Sequence, residues 1–284
     1  MSARPMNLPP GEIERVIDAA LAEDLGSGDV TTRATIPAGT RVRLVMTTRE
    51  AIVLAGIDIA AAVFRRLAPE VKIEILVRDG ARAGPGAPLA RIEGPANALL
   101  TAERTALNIV QFMSGIATAT RAYVERIAGT GAVLLDTRKT LPGLRALSKY
   151  ATRMGGATNH RLRLDDGILI KDNHVAIAGS VTEAIRRAKS ANTGLSDVRV
   201  ECDTLEQVQE ALAAGADSIL ADNMPPAMLS KAVRLAAGRV PLEASGGVTL
   251  ENIRAIAETG VDFISTGKIT QAAPAADIGL DIVE

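Results

Sequence analysis

Beyond about Ala117 the chain alternates between six short apolar runs with strand character and helical stretches, the pattern that parallel strands joined by crossover helices produce. The runs are Val133 to Leu135, Ile168 to Ile170, Val198 to Val200, Ser218 to Leu220, Pro241 to Ala244 and Phe263 to Ser265. Thr204-Leu205-Glu206 opens one intervening helix and Gly215 closes it. The frame returns 45 residues later as Thr249-Leu250-Glu251 and Gly260, with Asp217 and Asp262 each two residues beyond the glycine. This echo marks a repeated strand-helix unit. Such units wind an open sheet or close into a barrel. Each run is followed by polar residues: Asp136, Arg138 and Lys139; Lys171 and Asp172; Glu201 and Asp203; Asp222 and Asn223; Glu243 and Ser245; Ser265 and Thr266. Barrel enzymes gather chemistry at the carboxyl ends of their strands, so six segments would deliver charge to one mouth, and a barrel is favoured.

The first part reads differently. Between Val42 and Gly94, β-like runs at Arg43 to Thr48, Ala51 to Leu54, Val71 to Val77 and Pro88 to Ile92 surround one helix, Asp58 to Leu67. Asn97 to Ile127 follows as a helix, with a break expected near Ser114-Gly115. This is a mixed α/β domain.

Composition removes several classes. With 32 Lys plus Arg against 33 Asp plus Glu, no global field draws the chain to nucleic acid, and 2% aromatics leave few platforms for stacking bases. Cys202 stands alone beside two histidines, so neither an internal disulfide nor a zinc site is expected, and a reducing, cytoplasmic setting fits. No apolar run reaches the roughly 18–20 residues that cross a bilayer. Met1 to Pro10 lacks the apolar centre of a secretory signal.

Between Thr137 and Leu164 lie seven Lys or Arg and His160, with no acid. Arg145, Lys149 and Arg153 have the spacing of a solvated helix face. Arg138 and Lys139 follow directly on a strand, and His160-Arg161 follow a glycine pair, so these point to an anionic ligand with more than one acidic group. Ser245-Gly246-Gly247, between a strand and a helix, and Gly267-Lys268 after the next strand would let backbone N–H groups approach a phosphate. Glu201 and Asp222 end successive strands, where paired carboxylates hold magnesium against phosphate, balance Lys139 and Lys171, or do both. Cys202 reads as core, and His174 as orienting a loop or doing chemistry.

Asp136-Thr-Arg-Lys-Thr-Leu-Pro-Gly-Leu-Arg145, Gly155-Gly-Ala-Thr-Asn-His-Arg161 and Leu169-Ile-Lys-Asp-Asn-His174 closely resemble the nicotinate-nucleotide pyrophosphorylase, or quinolinate phosphoribosyltransferase, family. Glu23-Asp-Leu-Gly-Ser-Gly-Asp-Val-Thr-Thr32, Glu103-Arg-Thr-Ala-Leu-Asn108, Ser114-Gly-Ile-Ala-Thr118 and Leu242-Glu-Ala-Ser-Gly-Gly247 extend the resemblance over nearly the whole chain. It implies an α/β fold of the type II phosphoribosyltransferases. An N-terminal α/β sandwich domain spans 1–116, completed by 269–284, and an incomplete seven-stranded α/β barrel spans 117–268. It further implies a homodimer, or a higher oligomer, whose active sites are shared between subunits. The implied reaction joins quinolinate to 5-phosphoribosyl 1-pyrophosphate with magnesium, giving nicotinate mononucleotide, pyrophosphate and CO2 on the route to NAD.

By the same resemblance Arg138, His160, Arg161 and Lys171 would bind quinolinate, with Arg104 arriving from the partner subunit. Lys139, Glu201 and Asp222 would face the ribosyl pyrophosphate and its metal, and Ser245, Gly246, Gly247 and Gly267 would cradle phosphate. Lys139 or Lys171 would protonate the carbon left by CO2. The chain departs from the family pattern late: Thr-His-Ser is Thr270-Gln271-Ala272, and Lys268 replaces a small apolar residue. Weaker donor binding is expected, partly offset by Lys268. Two alternatives stand beside this reading: the related branch that accompanies molybdate transport genes, acting on another substrate, and a non-catalytic barrel that binds anionic metabolites.

Overall fold

The computed structural model of the chain describes residues 10–191, 193–195 and 197–283, so most of the stretch considered for a signal falls outside it. Two compact units divide the chain: Met1–Arg121, Thr140–Gly156 and Ala272–Glu284 form the first, Ala122–Lys139 and Ala157–Gln271 the second.

In the first unit β1 (Arg41–Thr48) buries Leu44, Met46 and Thr48 and exposes Arg41 and Arg43, the period of two that sets one face of a sheet against a core. After β2 (Ile52–Val53), β3 (Lys72–Ile75) and β4 (Arg82–Ala83), β5 (Pro88–Pro95) pairs antiparallel with both β1 and β3, and β2 pairs with β4. Helix Ile57–Leu67 turns Ile57, Ile59, Ala60, Val63 and Phe64 into the same core.

Helix Ala96–Arg126 runs without the break expected at Ser114-Gly115. Both residues are small because of what they meet. Ser114 Oγ accepts from the Ala55 N–H at 3.1 Å and donates to its carbonyl at 3.2 Å. A Cβ on Gly115 would lie 1.9 Å from the Pro274 carbonyl oxygen. Helix Arg145–Gly155 corrects a second expectation: Lys149 is fully buried, and Arg145 and Arg153 are half-buried rather than solvated. The helix carries a small-residue stripe, Ser148, Ala151, Thr152 and Gly155, and a Cβ on Gly155 would come within 2.4 Å of Thr120. So close an approach covers the adjoining face as well.

The second unit is a parallel sheet of β6 (Val133–Leu135), β7 (Ile168–Ile170), β8 (Val198–Cys202), β9 (Ser218–Asp222), β10 (Leu242–Ser245) and β11 (Phe263–Ser265), in the spatial order β6-β11-β10-β9-β8-β7. Val198, Val200, Ile219, Ala221, Leu242, Ala244 and Ile264 are buried, as expected of parallel strands covered on both faces. Six strands form ladders where seven were expected. The remaining place beside β6 is a single parallel bridge from Leu135 to Thr158, because the polar residues from Thr158 to Arg161 offer no apolar run to extend it. The chain then returns to the first unit, where β12 (Ile278–Val283) pairs antiparallel with β1.

The 45-residue echo has a physical basis. Asp217 Oδ2 accepts from the Val198 N–H at 2.9 Å, and Asp262 Oδ2 accepts from the Leu242 N–H at 2.8 Å. In each copy the aspartate secures the first amide of the neighbouring strand. Thr204 and Gln207 form a reciprocal cap on helix Leu205–Ala213. The second copy differs, since Thr249 enters a turn closed by Asn252 and the helix begins at Ile253. Asp262→Ala leaves the Leu242 amide without its acceptor and is expected to cost about 1–2 kcal/mol in urea denaturation, with Asp262→Asn losing less. Among the described residues no helix is long and apolar enough to cross a membrane.

Candidate active site

The carboxyl ends of all six parallel strands open onto one cavity of about 210 Å³. β6 and its following residues supply Thr137, Arg138 and Lys139, β7 leads to Lys171, and β8 carries Glu201. β9 supplies Asp222, β10 Glu243 and Ser245, and β11 Ser265, while His160 and Arg161 come from the loop before β7. Strand ends that converge on one hollow define a sheet curled as part of a barrel.

The segment after β6 is fixed from three sides. Asp136, fully buried, accepts from Asn159 Nδ2 at 2.6 Å and from the His160 N–H at 2.9 Å. Lys139 donates its backbone N–H to Thr137 Oγ1 at 3.0 Å, and the Lys139 carbonyl accepts from Thr270 Oγ1 at 2.7 Å. Gly267 must be glycine for the Lys139 side chain to pass, since a Cβ there would sit 2.8 Å from Lys139 Cδ.

Across the mouth Lys171 Nζ reaches Glu201 Oε2 at 2.6 Å. The lysine is half exposed and the glutamate nearly buried, which holds the ammonium at the cavity wall. Asn223, at φ +54°, donates its backbone N–H to the Ser245 carbonyl and its side chain to Asp222 Oδ2. A Cβ on Gly246 would lie 2.2 Å from Asn223 Oδ1, so this turn needs glycine.

Glu243, one of the strand-end charges expected at the mouth, forms a layer with Arg199, a residue not expected there. Arg199 Nη1 donates to Glu243 Oε2 at 2.7 Å and its Nε to Ser218 Oγ at 3.0 Å, and the same Nη1 touches His160 Nε2. The Arg161 N–H donates to His160 Nδ1 at 2.7 Å. The signal was present: Arg199 and Glu201 stand two apart in a buried parallel strand, which places them on one face.

Four cations and three carboxylates face the cavity. Burial, then the charges of Arg138 and Arg199, push the Arg161 guanidinium below its usual range. Nε of Arg138 is buried with no hydrogen-bond partner among the described residues. Burial raises the Asp222 carboxyl, helped by Glu201 and Asp203, and burial raises Glu243 against the pull of Arg199. Bound anions would relieve the guanidinium pair, and a cation at Glu201 and Asp222 would relieve the acids.

A second cavity of about 80 Å³ adjoins the first, sharing Thr137, Lys139, Ser245 and Ser265 and adding Gly246, Gly247, Thr266, Gly267, Lys268 and Gln271. Gly246 and Gly247 belong to a loop: the next helix starts only at Ile253, so amides presented by Ser245-Gly246-Gly247 are loop amides and not the expected helix start, whereas Gly267 directly precedes the turn Lys268–Gln271. Arg104 is exposed on helix Ala96–Arg126 of the first unit and is not among the residues that line either cavity. His174 accepts the Lys171 N–H through Nδ1 at 3.0 Å and so orients the loop after β7. Cys202 is buried, its thiol pushed up to about 12 by burial, in keeping with a core residue.

Glu201 and Asp222 are the metal candidates. Among the described residues no cluster of three or more His, Cys, Asp or Glu could hold an ion without help. Two carboxylates with retained waters and substrate phosphates do suit magnesium, so the residues fit.

A curled parallel sheet with this balance of charge at its strand ends defines a barrel enzyme for polyanionic substrates. Residues 116–281 match the family model for the quinolinate phosphoribosyl transferase C-terminal domain, and residues 29–114 match the N-terminal domain of the same family. The chain belongs to the quinolinate phosphoribosyltransferase family. It is 49% identical over 272 residues to the nicotinate-nucleotide pyrophosphorylase (carboxylating) of Mycobacterium leprae (strain TN), covering 94% of this chain and 95% of the relative. Of solved structures, the nicotinate-nucleotide pyrophosphorylase of Francisella tularensis aligns with a TM-score of 0.95 at 38% identity, covering 100% of both chains. That of Ehrlichia chaffeensis aligns at 0.91 and 44% identity, covering 95% of this chain and 98% of its own.

Proposed function

We propose that the chain transfers the phosphoribosyl group of 5-phosphoribosyl 1-pyrophosphate to quinolinate with decarboxylation, yielding nicotinate mononucleotide, pyrophosphate and CO2 for NAD synthesis. The observation that carries this reading is the single cavity in which Arg138, His160, Arg161 and Lys171 stand beside Glu201 and Asp222. A dicarboxylate answers the first group, and a phosphorylated sugar that brings a divalent cation answers the second.

In this assignment Arg138, Arg161, His160 and Lys171 bind the two quinolinate carboxylates and aim the ring nitrogen at the anomeric carbon. The nitrogen forms its bond to that carbon as the bond to pyrophosphate breaks, and the electron pair leaves with pyrophosphate. Lys139 faces the departing phosphates, while Ser245, Gly246, Gly247 and Gly267 seat phosphate oxygens. Glu201 and Asp222 would hold magnesium, which supplies charge neutralisation to the pyrophosphate when bound. Positioning and electrostatics therefore carry most of the barrier reduction. The quaternary nitrogen then stabilises the carbanion formed as the adjacent carboxylate leaves as CO2, and Lys139 or Lys171 returns a proton to that carbon.

The same proposal makes the working unit a homodimer in which Arg104 of one subunit completes the cavity of the other, and places it in the cytoplasm. The test is purified protein with quinolinate, the ribosyl pyrophosphate and magnesium, with nicotinate as comparison. Nicotinate mononucleotide and CO2 in equal amounts from quinolinate are expected. Product from nicotinate alone would overturn the substrate assignment.

A further inference from the structure

The two adjoining cavities differ in charge. The larger carries Glu201, Asp222 and Glu243, whereas among the described residues no Asp or Glu lines the smaller. Among the described residues its only charged lining side chains are Lys139 and Lys268, and neither makes an ion pair with a described residue. A phosphate that travels with a divalent cation belongs beside carboxylates; a phosphomonoester without metal belongs where ammonium groups and hydroxyls meet no acid. The proposed donor carries one phosphate group of each kind.

The two lysines share a frame. Lys268 opens the single turn Lys268–Gln271, and Thr270 of that turn donates to the Lys139 carbonyl at 2.7 Å. The Lys268 N–H is tied to Thr266 Oγ1 at 3.2 Å, and Gly267 lies flush against the Lys139 side chain. Lys139 also borders the larger cavity, which leaves Lys268 as the charge that serves the smaller one alone. Gln271 adds an uncharged amide. We infer that Lys268 is a binding residue for the 5′-phosphate of the ribosyl donor, seated in the smaller cavity apart from the pyrophosphate. The inference rests on the phosphoribosyltransferase reading and deepens it. One consequence separates the products: the mononucleotide retains that phosphate and meets Lys268, whereas pyrophosphate does not.

Calorimetric titration of the full-length protein tests this with ribose 5-phosphate, nicotinate mononucleotide and magnesium pyrophosphate as probes. Lys268→Ala is expected to weaken ribose 5-phosphate and the mononucleotide about tenfold while magnesium pyrophosphate stays within about twofold. The donor KM should rise about tenfold with kcat within about twofold, and Lys268→Arg should restore most of the loss. Because Lys268 is exposed, thermal melting should not change. Unaltered ribose 5-phosphate affinity, equal weakening of both phosphate ligands, or no ribose 5-phosphate binding by the unmodified protein would overturn the assignment. The wider reading fails separately: a protein that binds ribose 5-phosphate through Lys268 yet makes no mononucleotide from quinolinate keeps the seat and loses the acceptor.

Discussion

Arg138→Ala is expected to lower kcat/KM for quinolinate by about a hundred- to a thousandfold, the scale of a lost two-point charge-assisted contact. Two features make this position costly. Its Nε is buried with no partner among the described residues, so the guanidinium is held ready for an anion that the protein does not supply. Its charge also opposes that of Arg161, and a bound dicarboxylate neutralises both. Arg138→Lys should recover little, because an ammonium cannot present the planar fork. Thermal stability should be unchanged or slightly raised, since the substitution removes a repulsion; a large fall in melting temperature would mean that the residue supports the fold. The variant also tests the shared site. If Arg104 acts across the dimer, mixed dimers of Arg104→Ala and Arg138→Ala place both lesions in one cavity and leave the other intact. Random mixing then restores about a quarter of the original activity from two inactive parents. No recovery would place Arg104 with its own subunit's cavity or outside the reaction.

Much of the second unit was legible because parallel strands covered on both faces are written as short apolar runs, and β6, β7 and β11 have the bounds those runs suggested. The residues that line the cavity were legible for a related reason: polar side chains follow directly on each run, as Lys171 follows Ile170. What escaped were features that depend on approach between segments remote in sequence. Ser114-Gly115 has the composition of a helix break, yet its glycine answers to a carbonyl at Pro274. Lys149 sits at the spacing of a solvated face, yet the small residues beside it let the helix pack closely enough to bury it. Arg199 lies inside the run Val198 to Val200, and only Glu243, two strands away, shows what it holds. Local periodicity reports which element forms; it does not report what comes within 3 Å of it.

Asp136 offers the sharpest test of how the site is held rather than what it binds. Fully buried at the end of β6, it accepts the His160 amide and the Asn159 side chain, and His160 in turn accepts the Arg161 amide. The carboxylate thus fixes a loop that contributes two cavity residues, though Asp136 is not itself among the residues lining the cavity. Asp136→Ala would leave the part-buried His160 amide without this acceptor and open a void at a fully buried position, and about 3 kcal/mol of stability should go with it. If the loop's place depends on this anchor, kcat/KM for quinolinate falls about a hundredfold, since a misplacement near 1 Å is enough for that. Affinity for magnesium pyrophosphate, which the proposed function assigns to Lys139, Glu201 and Asp222, should change little. Asp136→Asn keeps the shape and one acceptor and should fall between the two. The informative failure is a protein that loses the stability but keeps its quinolinate KM: the sheet alone would then position His160 and Arg161, and Asp136 would matter only to the fold.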